Sequence, residues 1–379
     1  MDVPDCFNVE NARIVKEAVD VPIIAVDKIP TVEQANEVIE SGDADLVAMA
    51  RPLLSDPELV NKYMGINPEP PRLCIACDQG CRDDKRYKAI RCMQNPFLGR
   101  EACLHMTEAS DELKAKKIMI VGAGPAGLEA AVEMVCRGLC PVIIDKNEKA
   151  GGLMNIADKP PFKTNLDRIT DYRVKFLEQK GVKIRLGETV DEALLEAEKP
   201  DILFVATGST PIVPRIPGAD GASVYIADDV LAGTEVPGER VAVIGAGLVG
   251  AETAEYLAEW GKKVEMFDFI DNVAQDFNKA GRYFLMKYLN DYDVKRHMKC
   301  KITEIRLPEI VMEQEGEARI LSGFDAVVMA VGRRRQNALA DLAREKFPAM
   351  DVHVIGDAGD NEMTAIEAIA SAALEVAAL

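Results

Sequence analysis

The two stretches "KKIMIVGAGPAGLEAAVEM", residues 116–134, and "ERVAVIGAGLVGAETAEYL", residues 239–257, decide the fold of this chain. Each begins with a short β-branched strand, continues through a glycine turn and ends in an amphipathic helix of Ala, Leu and Glu. A second strand follows each helix, "PVIIDK" at 141–146 and "KVEMFDF" at 263–269. The chain therefore contains two strand–helix–strand units, which predicts an α/β protein with parallel sheets.

The first glycine turn has the spacing of a dinucleotide-binding motif. Gly122 permits a tight turn, Gly124 lets the backbone approach a pyrophosphate, and Gly127 lets the helix pack closely on the strand. The helix N-terminus supplies oriented N–H groups for the phosphates. Asp145 lies 23 residues after Gly122, at the end of the next strand, where a carboxylate would hold a ribose hydroxyl. We therefore predict a Rossmann-like nucleotide site at this turn.

The second copy repeats this pattern with Gly245, Gly247 and Gly250, and with Asp268 again 23 residues after the first glycine. Asp268 is followed by Phe269 and not by a basic residue. The 2′-phosphate of NADPH would meet a carboxylate there and find no obvious cation. The sequence therefore favours NADH over NADPH as the nucleotide of the second unit.

Four cysteines lie in a short polar stretch, "RLCIACDQGCRDDKRYKAIRCMQNP", residues 72–96. The four cysteines are Cys74, Cys77, Cys81 and Cys92, with the spacing Cys-x2-Cys-x3-Cys-x10-Cys. This spacing suits a [4Fe–4S] cluster, because three thiolates within eight residues can wrap one corner of the cluster and the fourth can close the site from the far end of the loop. Structural zinc more often uses two Cys-x2-Cys pairs, and only one is present. A cluster is the preferred interpretation, with zinc and unligated structural cysteines as the alternatives.

Composition narrows the possible functions. The chain has 379 residues, enough for two or three domains, and its formal net charge is −18. Such a charge repels nucleic acid and anionic lipid, so neither is an expected partner. The N-terminus lacks the basic and apolar regions of a signal peptide, and no apolar run is long enough to cross a membrane. We expect a cytoplasmic protein whose clustered cysteines bind metal and do not form disulfides.

A different pattern precedes the cysteines. The strand-like "VPIIAV" at 21–26 and "ADLVAMA" at 44–50 are each followed by a helix-like stretch, at 31–42 and 57–65. These are two successive βα units of a parallel arrangement. Strand-end turns also follow the first glycine unit, in "DILFVATGSTP" at 201–211 and "VHVIGDAGD" at 352–360.

Taken in order, the glycine turns and late turns resemble the two-dinucleotide-binding-domain flavoproteins. The resemblance implies that the first glycine motif and the late Gly-Asp motif bind FAD, while the second glycine motif, inserted between them, binds the nicotinamide nucleotide. The FAD residues implied in addition to the first turn and Asp145 are Gly152, Thr207, Gly208, Gly356 and Asp357.

The whole chain resembles the NADH:flavin oxidoreductases of the 2,4-dienoyl-CoA reductase, enoate reductase and trimethylamine dehydrogenase group. That resemblance implies an FMN-bearing (β/α)8 barrel, a [4Fe–4S] cluster at its edge and an FAD/NAD(P) module. It implies a route from NADH through FAD and the cluster to FMN, which reduces an activated C=C bond. No catalytic acid or base is assigned. The domains we expect are a partial barrel at 1–70, a cluster segment at 71–108, an FAD-binding domain at 115–232 and 335–379, and an inserted NAD(H)-binding domain at 233–334.

The sequence departs from that group in its first part. Only the last two βα units of an incomplete TIM barrel are recognisable, so we expect the remaining strands on a partner subunit, with a homo-oligomer as another possibility. Asp27 replaces the family's glycine after the first of these strands, which leaves Arg51 as the best anion ligand. We therefore expect that this chain alone does not bind FMN tightly.

Two further functions are open from the sequence. One is a free-standing electron-transfer flavoprotein similar to the small subunit of glutamate synthase, although that family does not carry the barrel-like strands. The other is a non-catalytic truncated fragment, although both glycine motifs and all four cysteines are intact.

Overall fold

The computed structural model describes residues 3–82, 89–360 and 363–379. The first part of the chain contains the two βα units that the sequence predicts. Its elements are α1 Val9–Ala18, β1 Ile24–Val26, α2 Val32–Glu40, β2 Leu46–Ala48, α3 Ala50–Ser55 and α4 Leu59–Tyr63. The described residues between 64 and 110 form turns and extended chain, and α5 Asp111–Lys114 comes after them.

Strands β1 and β2 are parallel, with Ile24 opposite Leu46. Thr31 caps α2 by accepting a hydrogen bond from the Gln34 N–H at 3.2 Å, as its position before the helix favours. Ala25 is buried, but Ile24 and Leu46 are each 54% exposed. The small sheet thus carries apolar side chains on a face that the described residues leave open to solvent.

The first glycine unit and the residues after it form strands and helices in regular alternation. These elements are β3 Ile118–Val121, α6 Pro125–Cys136, β4 Val142–Asp145, α7 Met154–Ala157, α8 Asp167–Gln179, β5 Lys183–Leu186, α9 Glu192–Glu198 and β6 Ile202–Val205. All four residues of β3 are buried, as a central parallel strand requires.

The second glycine unit and the C-terminal part contain the remaining elements. The elements up to the end of the second strand–helix–strand unit are β7 Ser209–Pro211, β8 Val224–Ile226, α10 Ala227–Leu231, β9 Arg240–Ile244, α11 Leu248–Glu259 and β10 Lys263–Phe267. Those after it are α12 Lys279–Asp291, β11 Lys295–His297, β12 Cys300–Arg306, β13 Glu309–Gln314, β14 Glu317–Ser322, β15 Ala326–Met329, β16 Arg333–Arg335, α13 Ala338–Lys346, β17 Asp351–Val354 and α14 Ala365–Ala378.

The chain divides into two compact units, each built around a five-stranded parallel sheet. The first unit holds residues 1–154, 165–208 and 336–379, and its sheet has the order β17-β6-β3-β4-β5. Ile120 and Phe204 pack on one face of this sheet, with α6 and α14, and Met119 and Leu203 pack on the other. The glycine turn therefore lies at the carboxyl end of the central strand, which is the usual ligand edge of such sheets.

The second unit holds residues 155–164 and 209–335, and its sheet has the order β11-β10-β9-β15-β8. The inserted domain predicted at 233–334 lies inside this unit. Residues 209–232 lie there too, because β8 pairs with β15. The parallel α/β class that the sequence predicts is confirmed by both sheets. Within the part of the chain that the structure describes, no helix is long and apolar enough to cross a membrane.

Candidate functional site

The first glycine turn is shaped by close backbone contacts. Gly122 has φ +112°, and a Cβ there would lie 2.3 Å from the carbonyl oxygen of Ala206. A Cβ at Gly127 would lie 1.9 Å from the carbonyl oxygen of Gly122. By contrast, a Cβ at Gly124 would meet no atom within 4 Å. The turn is thus packed where strand and helix meet and open where a pyrophosphate would approach.

Two later segments converge on the N-terminal turn of α6. A Cβ at Gly152 would lie 3.1 Å from the Cα of Gly124, and a Cβ at Gly356 would lie 2.7 Å from the Cβ of Ala126. Three stretches that are distant in sequence therefore surround one helix N-terminus, where N–H groups and the helix dipole favour phosphates. Asp357 belongs to the same late turn, since the short helix at 356–358 contains it. These residues fit the pyrophosphate end of an FAD.

Asp145 and Thr207 lie at the edge of this turn. The Asp145 Oδ2 accepts a hydrogen bond from the Ala123 N–H at 2.6 Å, so its carboxylate stands over the glycine turn. Thr207 lies beside Ala206, and its hydroxyl donates to the Gln336 carbonyl. Gly208 comes next, with φ +70°. The sequence alone did not indicate the bond between Asp145 and the turn, which orients the carboxylate predicted to hold a ribose.

The second unit reproduces this geometry. Gly245 has φ +110°, a Cβ at Gly250 would lie 2.0 Å from the carbonyl oxygen of Gly245, and a Cβ at Gly247 would meet nothing within 4 Å. The Asp268 Oδ2 accepts from the Ala246 N–H at 2.5 Å. Two turns with the same packed and open positions therefore stand in two separate units, which fits two different dinucleotides.

The four predicted metal ligands lie in a loop with an unusual backbone path. Ala76, Asp78 and Gly80 have positive φ values of 52°, 55° and 87°, so the chain winds back between successive cysteines. The Ala76 N–H donates to the Cys74 Sγ at 3.4 Å, a contact typical of sulfur ligands. The Arg91 N–H donates to the Gly80 carbonyl at 3.3 Å, which brings the residue before Cys92 next to the residue before Cys81.

All four cysteines are partly buried and none forms a disulfide. Burial raises the pKa of the Cys74 thiol, and it raises the pKa of the Cys81 thiol to about 11, with the charge of Asp78 and the neighbouring thiols adding to the effect. Burial also raises the pKa of the Cys77 thiol, and the nearby thiols of Cys92, Cys81 and Cys74 add to the effect. The thiols are thus close enough to influence one another, and metal binding would have to release their protons.

The chemistry of the donor set, four cysteine thiols on one winding loop with N–H···S contacts, fits an iron–sulfur cluster, whereas the positions of their side chains do not form a metal site by themselves. Among residues 3–82, 89–360 and 363–379, no group of three or more His, Cys, Asp or Glu side chains is arranged to hold a metal ion. Residues 83–88 of the quoted cysteine stretch lie outside the described residues.

A cavity of about 370 Å³ lies at the carboxyl ends of β1 and β2, and Cys74 is part of its lining. Arg51 lies in this cavity with its guanidinium between two carboxylates. Its Nη2 is 2.7 Å from the Asp27 Oδ1 and its Nη1 is 2.6 Å from the Asp78 Oδ1. Lys28 is 6% exposed, and its Nζ lies 3.5 Å from the Asp5 Oδ1. The cations at both strand ends are thus paired with carboxylates.

These strand-end residues do not fit a flavin phosphate. Asp27 pairs with Arg51, the best anion ligand that the sequence suggested, and a phosphate placed there would face a carboxylate. Asp78 is the partner that sequence reasoning missed, although its place directly after Cys77 could have indicated a role in the loop. Arg51, on α3, therefore joins the end of β1 to the cysteine loop through its two carboxylate partners.

The fold and the paired glycine turns define a flavin- and pyridine-nucleotide-dependent oxidoreductase. The profile of the pyridine nucleotide-disulphide oxidoreductase family matches residues 116–351, and that of the NADH:flavin oxidoreductase / NADH oxidase family matches residues 4–66. The chain belongs to the pyridine nucleotide-disulphide oxidoreductases, and its residues 4–66 are similar to the NADH:flavin oxidoreductase / NADH oxidase family. The resemblance drawn from the sequence is thereby confirmed.

Three similar proteins cover nearly the whole chain. It is 34% identical over 358 residues to bilirubin reductase of Mediterraneibacter gnavus, covering 94% of this chain and 55% of that protein. It is 33% identical to cinnamate reductase of Clostridium sporogenes, covering 91% of this chain and 51% of that protein. The structure of 2-naphthoyl-CoA reductase matches with a TM-score of 0.92 and 28% identity, covering 100% of this chain and 57% of that one. The chain thus spans about half the length of these proteins.

Proposed function

We propose that this chain is the electron-input part of a larger NADH-dependent reductase. In this proposal the second unit binds NADH and the first binds FAD, and the four cysteines bind a [4Fe–4S] cluster through which electrons leave. The observation that carries the proposal is the combination, in one chain, of two open glycine turns with a four-cysteine loop that lines a cavity at barrel-like strand ends.

In the first unit, the α6 N-terminus and the open position at Gly124 would hold the FAD pyrophosphate, with Gly152, Gly356 and Asp357 around it. Asp145 would accept a hydrogen bond from a ribose hydroxyl while it still accepts the hydrogen bond from the Ala123 N–H. FAD, when bound, accepts a hydride from NADH and releases electrons singly. The chain's own part is to bind and orient, so no proton-transferring side chain is needed for that exchange.

In the second unit, Gly247 and Asp268 would take the corresponding roles for NADH. The carboxylate of Asp268 is followed by Phe269, which is 77% exposed, so an incoming 2′-phosphate would meet a negative charge beside an apolar side chain. This supports NADH as the preferred donor.

Cys74, Cys77, Cys81 and Cys92 would hold the cluster between the flavin-binding unit and the strand-end cavity. All nine cysteines are free, which suits a reducing compartment, and we propose the cytoplasm as the site of action.

We further propose that the remaining strands of a (β/α)8 barrel complete the assembly, on the same longer polypeptide, on a partner subunit or through a homo-oligomer. Within the described residues, β1 and β2 pair only with each other, and Ile24, Val26 and Leu46 are about half exposed. Open strand edges beside exposed apolar side chains are normally covered. The final acceptor, FMN by the resemblance, would be held by that remainder, because Arg51 is already paired here.

The substrate class proposed for the complete enzyme is an activated C=C bond conjugated to a carbonyl group. Support comes from the names of similar proteins, a cinnamate reductase and a 2-naphthoyl-CoA reductase. Both named substrates are conjugated carbonyl compounds.

The first test is anaerobic expression followed by an absorption spectrum and titration with NADH. A flavin band and a broad iron–sulfur shoulder that both bleach would support the electron-input function. The matched control is Gly247→Ala, whose new methyl meets no protein atom but stands where NADH would approach, so this variant should keep its flavin and lose the bleaching. A colourless protein, or one that holds zinc and no flavin, would contradict the proposal.

A further inference from the structure

A buried chain of hydrogen bonds joins helix α6 to the cysteine loop. Arg173 on α8 and Glu129 on α6 are both fully buried, and the Arg173 Nε lies 2.5 Å from the Glu129 Oε2. The Arg173 Nη1 donates to the Gln94 Oε1 at 2.9 Å, and its Nη2 to the Gln94 carbonyl at 3.3 Å. The Gln94 Nε2 donates in turn to the Leu73 carbonyl at 3.1 Å.

This chain of bonds reaches both ends of the cysteine segment. Leu73 directly precedes Cys74, and Gln94 lies two residues after Cys92. Arg168, also on α8, donates from its Nη1 to the Cys74 carbonyl at 2.9 Å. The segment that carries the four thiols is therefore attached through α8 to α6. The N-terminus of α6 is the part of the proposed FAD site that would contact the pyrophosphate.

A second pair of charged groups lies beside the first. The Arg72 Nη2 donates to the Tyr172 hydroxyl at 3.1 Å and lies 3.8 Å from the Glu133 Oε1. Burial and the neighbouring Glu129 raise the pKa of Glu133. Arg173, Glu129 and Glu133 are thus buried between α6, α8 and the start of the cysteine loop, and Arg72 is mostly buried beside them.

Stability alone is a poor explanation for such a cluster. Taking an ion pair out of water costs several kcal/mol per ion, and an apolar pair of similar volume is often as stable or more so. An arginine fork, however, fixes geometry, because its planar donors demand defined acceptor positions. Here the acceptors are one carboxylate on α6, two oxygens of Gln94 in the cysteine segment and the Ile169 carbonyl of α8 itself.

We propose that Arg173, through Gln94, is a positioning residue that sets the separation between the bound FAD and the cysteine-held cluster. This inference rests on the proposed function. With both groups bound, one electron would pass from reduced FAD to the oxidised cluster without bond making, and its rate would fall steeply with the distance between the two groups. A small shift of the loop would therefore slow this transfer and leave hydride transfer from NADH unchanged.

The test uses the whole chain with both groups bound, in anaerobic stopped-flow mixing with NADH. Gln94→Met removes the acceptor Oε1 and the donor Nε2 of the Gln94 side chain, while the Gln94 carbonyl and Glu129 remain as partners of Arg173. Arg173→Lys keeps a positive charge beside Glu129 but loses the fork. The control is Lys175→Met, an exposed position on the same helix. Iron content and the electron paramagnetic resonance signal of the reduced cluster are recorded for each protein, as is amide hydrogen exchange at 72–82.

We expect Gln94→Met and Arg173→Lys to bleach the flavin at the wild-type rate but to reduce the cluster about tenfold more slowly, as misplacement by a fraction of an ångström can produce. Their resonance signal should shift and exchange at 72–82 should rise, while Lys175→Met stays like the wild type. Wild-type cluster reduction and resonance signal in both iron-loaded variants would overturn the positioning role alone. A wild-type chain that bleaches with NADH yet binds no iron would overturn this inference and the cluster part of the proposed function together. A wild-type chain without flavin bleaching would refute the NADH function itself.

Discussion

The Asp27 Oδ1 lies 2.7 Å from the Arg51 Nη2, at the carboxyl ends of the neighbouring parallel strands β1 and β2. Asp27 adopts φ +89°, a region that glycine enters freely and other residues enter at a cost. The carboxylate thus pairs with the cation that the sequence suggested as the best phosphate ligand at this edge. The strained backbone at Asp27 and the ion pair of its side chain together indicate that this carboxylate has the specific role of pairing with Arg51.

We expect Asp27→Gly to open an anion site at Arg51. The lost ion pair is partly exposed and worth about 0–1 kcal/mol, and relief of the positive φ returns a similar amount, so overall stability should change little. Added pyrophosphate should then raise the melting temperature of Asp27→Gly at constant ionic strength and leave the wild type unchanged. In the double variant Asp27→Gly/Arg51→Met the gain should vanish. An equal response of wild type and variant would show that Asp27 does not block the site.

Gly124→Ala and Gly127→Ala should separate cofactor binding from folding. The methyl of Gly127→Ala would lie 1.9 Å from the carbonyl oxygen of Gly122, so the turn must move and the melting temperature should fall sharply. The methyl of Gly124→Ala meets no protein atom within 4 Å, so the fold should persist while flavin is lost. The flavin-to-protein ratio and thermal unfolding measure both effects. A full flavin complement in Gly124→Ala would argue against FAD at this turn.

Asp268→Asn should shift the nucleotide preference towards NADPH. Asparagine can still accept the Ala246 N–H, which Asp268 holds at 2.5 Å, but it removes the negative charge that repels a 2′-phosphate. A hydrogen bond to a charged group is worth about 1.5–3 kcal/mol, so the NADH:NADPH ratio of kcat/KM should fall by roughly tenfold or more. Asp145→Asn, the equivalent change in the first unit, should leave that ratio unaltered. If both variants change it equally, the second unit is not the NADH site.

Cys81→Ser should remove the iron–sulfur cluster, whereas Cys140→Ser should not. Cys140 is exposed and lies outside the loop, and Cys81 is one of four partly buried thiols that interact with one another. Iron analysis should give about four irons in the wild type and in Cys140→Ser, and close to none in Cys81→Ser. Cys74→Ser, Cys77→Ser and Cys92→Ser should behave like Cys81→Ser. A Cys81→Ser protein that keeps its full iron would require a different ligand set.

The pKa of Glu133 predicts how stability depends on pH. Burial raises this pKa above the unfolded value of about 4.3, so above that pH the folded chain binds a proton that the unfolded chain has released. The free energy of unfolding should therefore fall as pH rises from the unfolded pKa through the folded one. Glu133→Gln, a neutral mimic of the protonated acid, should lack this decline.

Urea unfolding across that pH range measures the difference between the two proteins. Glu129→Gln is the contrasting variant, since it removes the carboxylate 2.5 Å from Arg173 and should cost about 3–5 kcal/mol. Because the Glu129 charge helps to raise the Glu133 pKa, this variant should also show a smaller decline with pH than the wild type. Parallel pH curves for the wild type and Glu133→Gln would mean that Glu133 is ionised in the folded chain.

The sequence determined the architecture and the nucleotide turns of this protein. The spacing of Gly122, Gly124 and Gly127, repeated from Gly245, results from local backbone sterics, since a turn between a strand and a helix leaves no room for a Cβ at its packed positions. Periodic apolar residues likewise fix strands and helices locally.

The tertiary structure alone decided which distant residues meet. Arg51 looked like a free anion ligand in the sequence, but folding brings Asp27 and Asp78 onto its guanidinium. Arg173 and Glu129 looked like ordinary helix residues, but packing of α8 on α6 buries both side chains. The two pair with each other, and Arg173 also donates to Gln94 in the cysteine segment. Local spacing predicts backbone shape, whereas the state of a charge depends on neighbours that only the packed chain supplies.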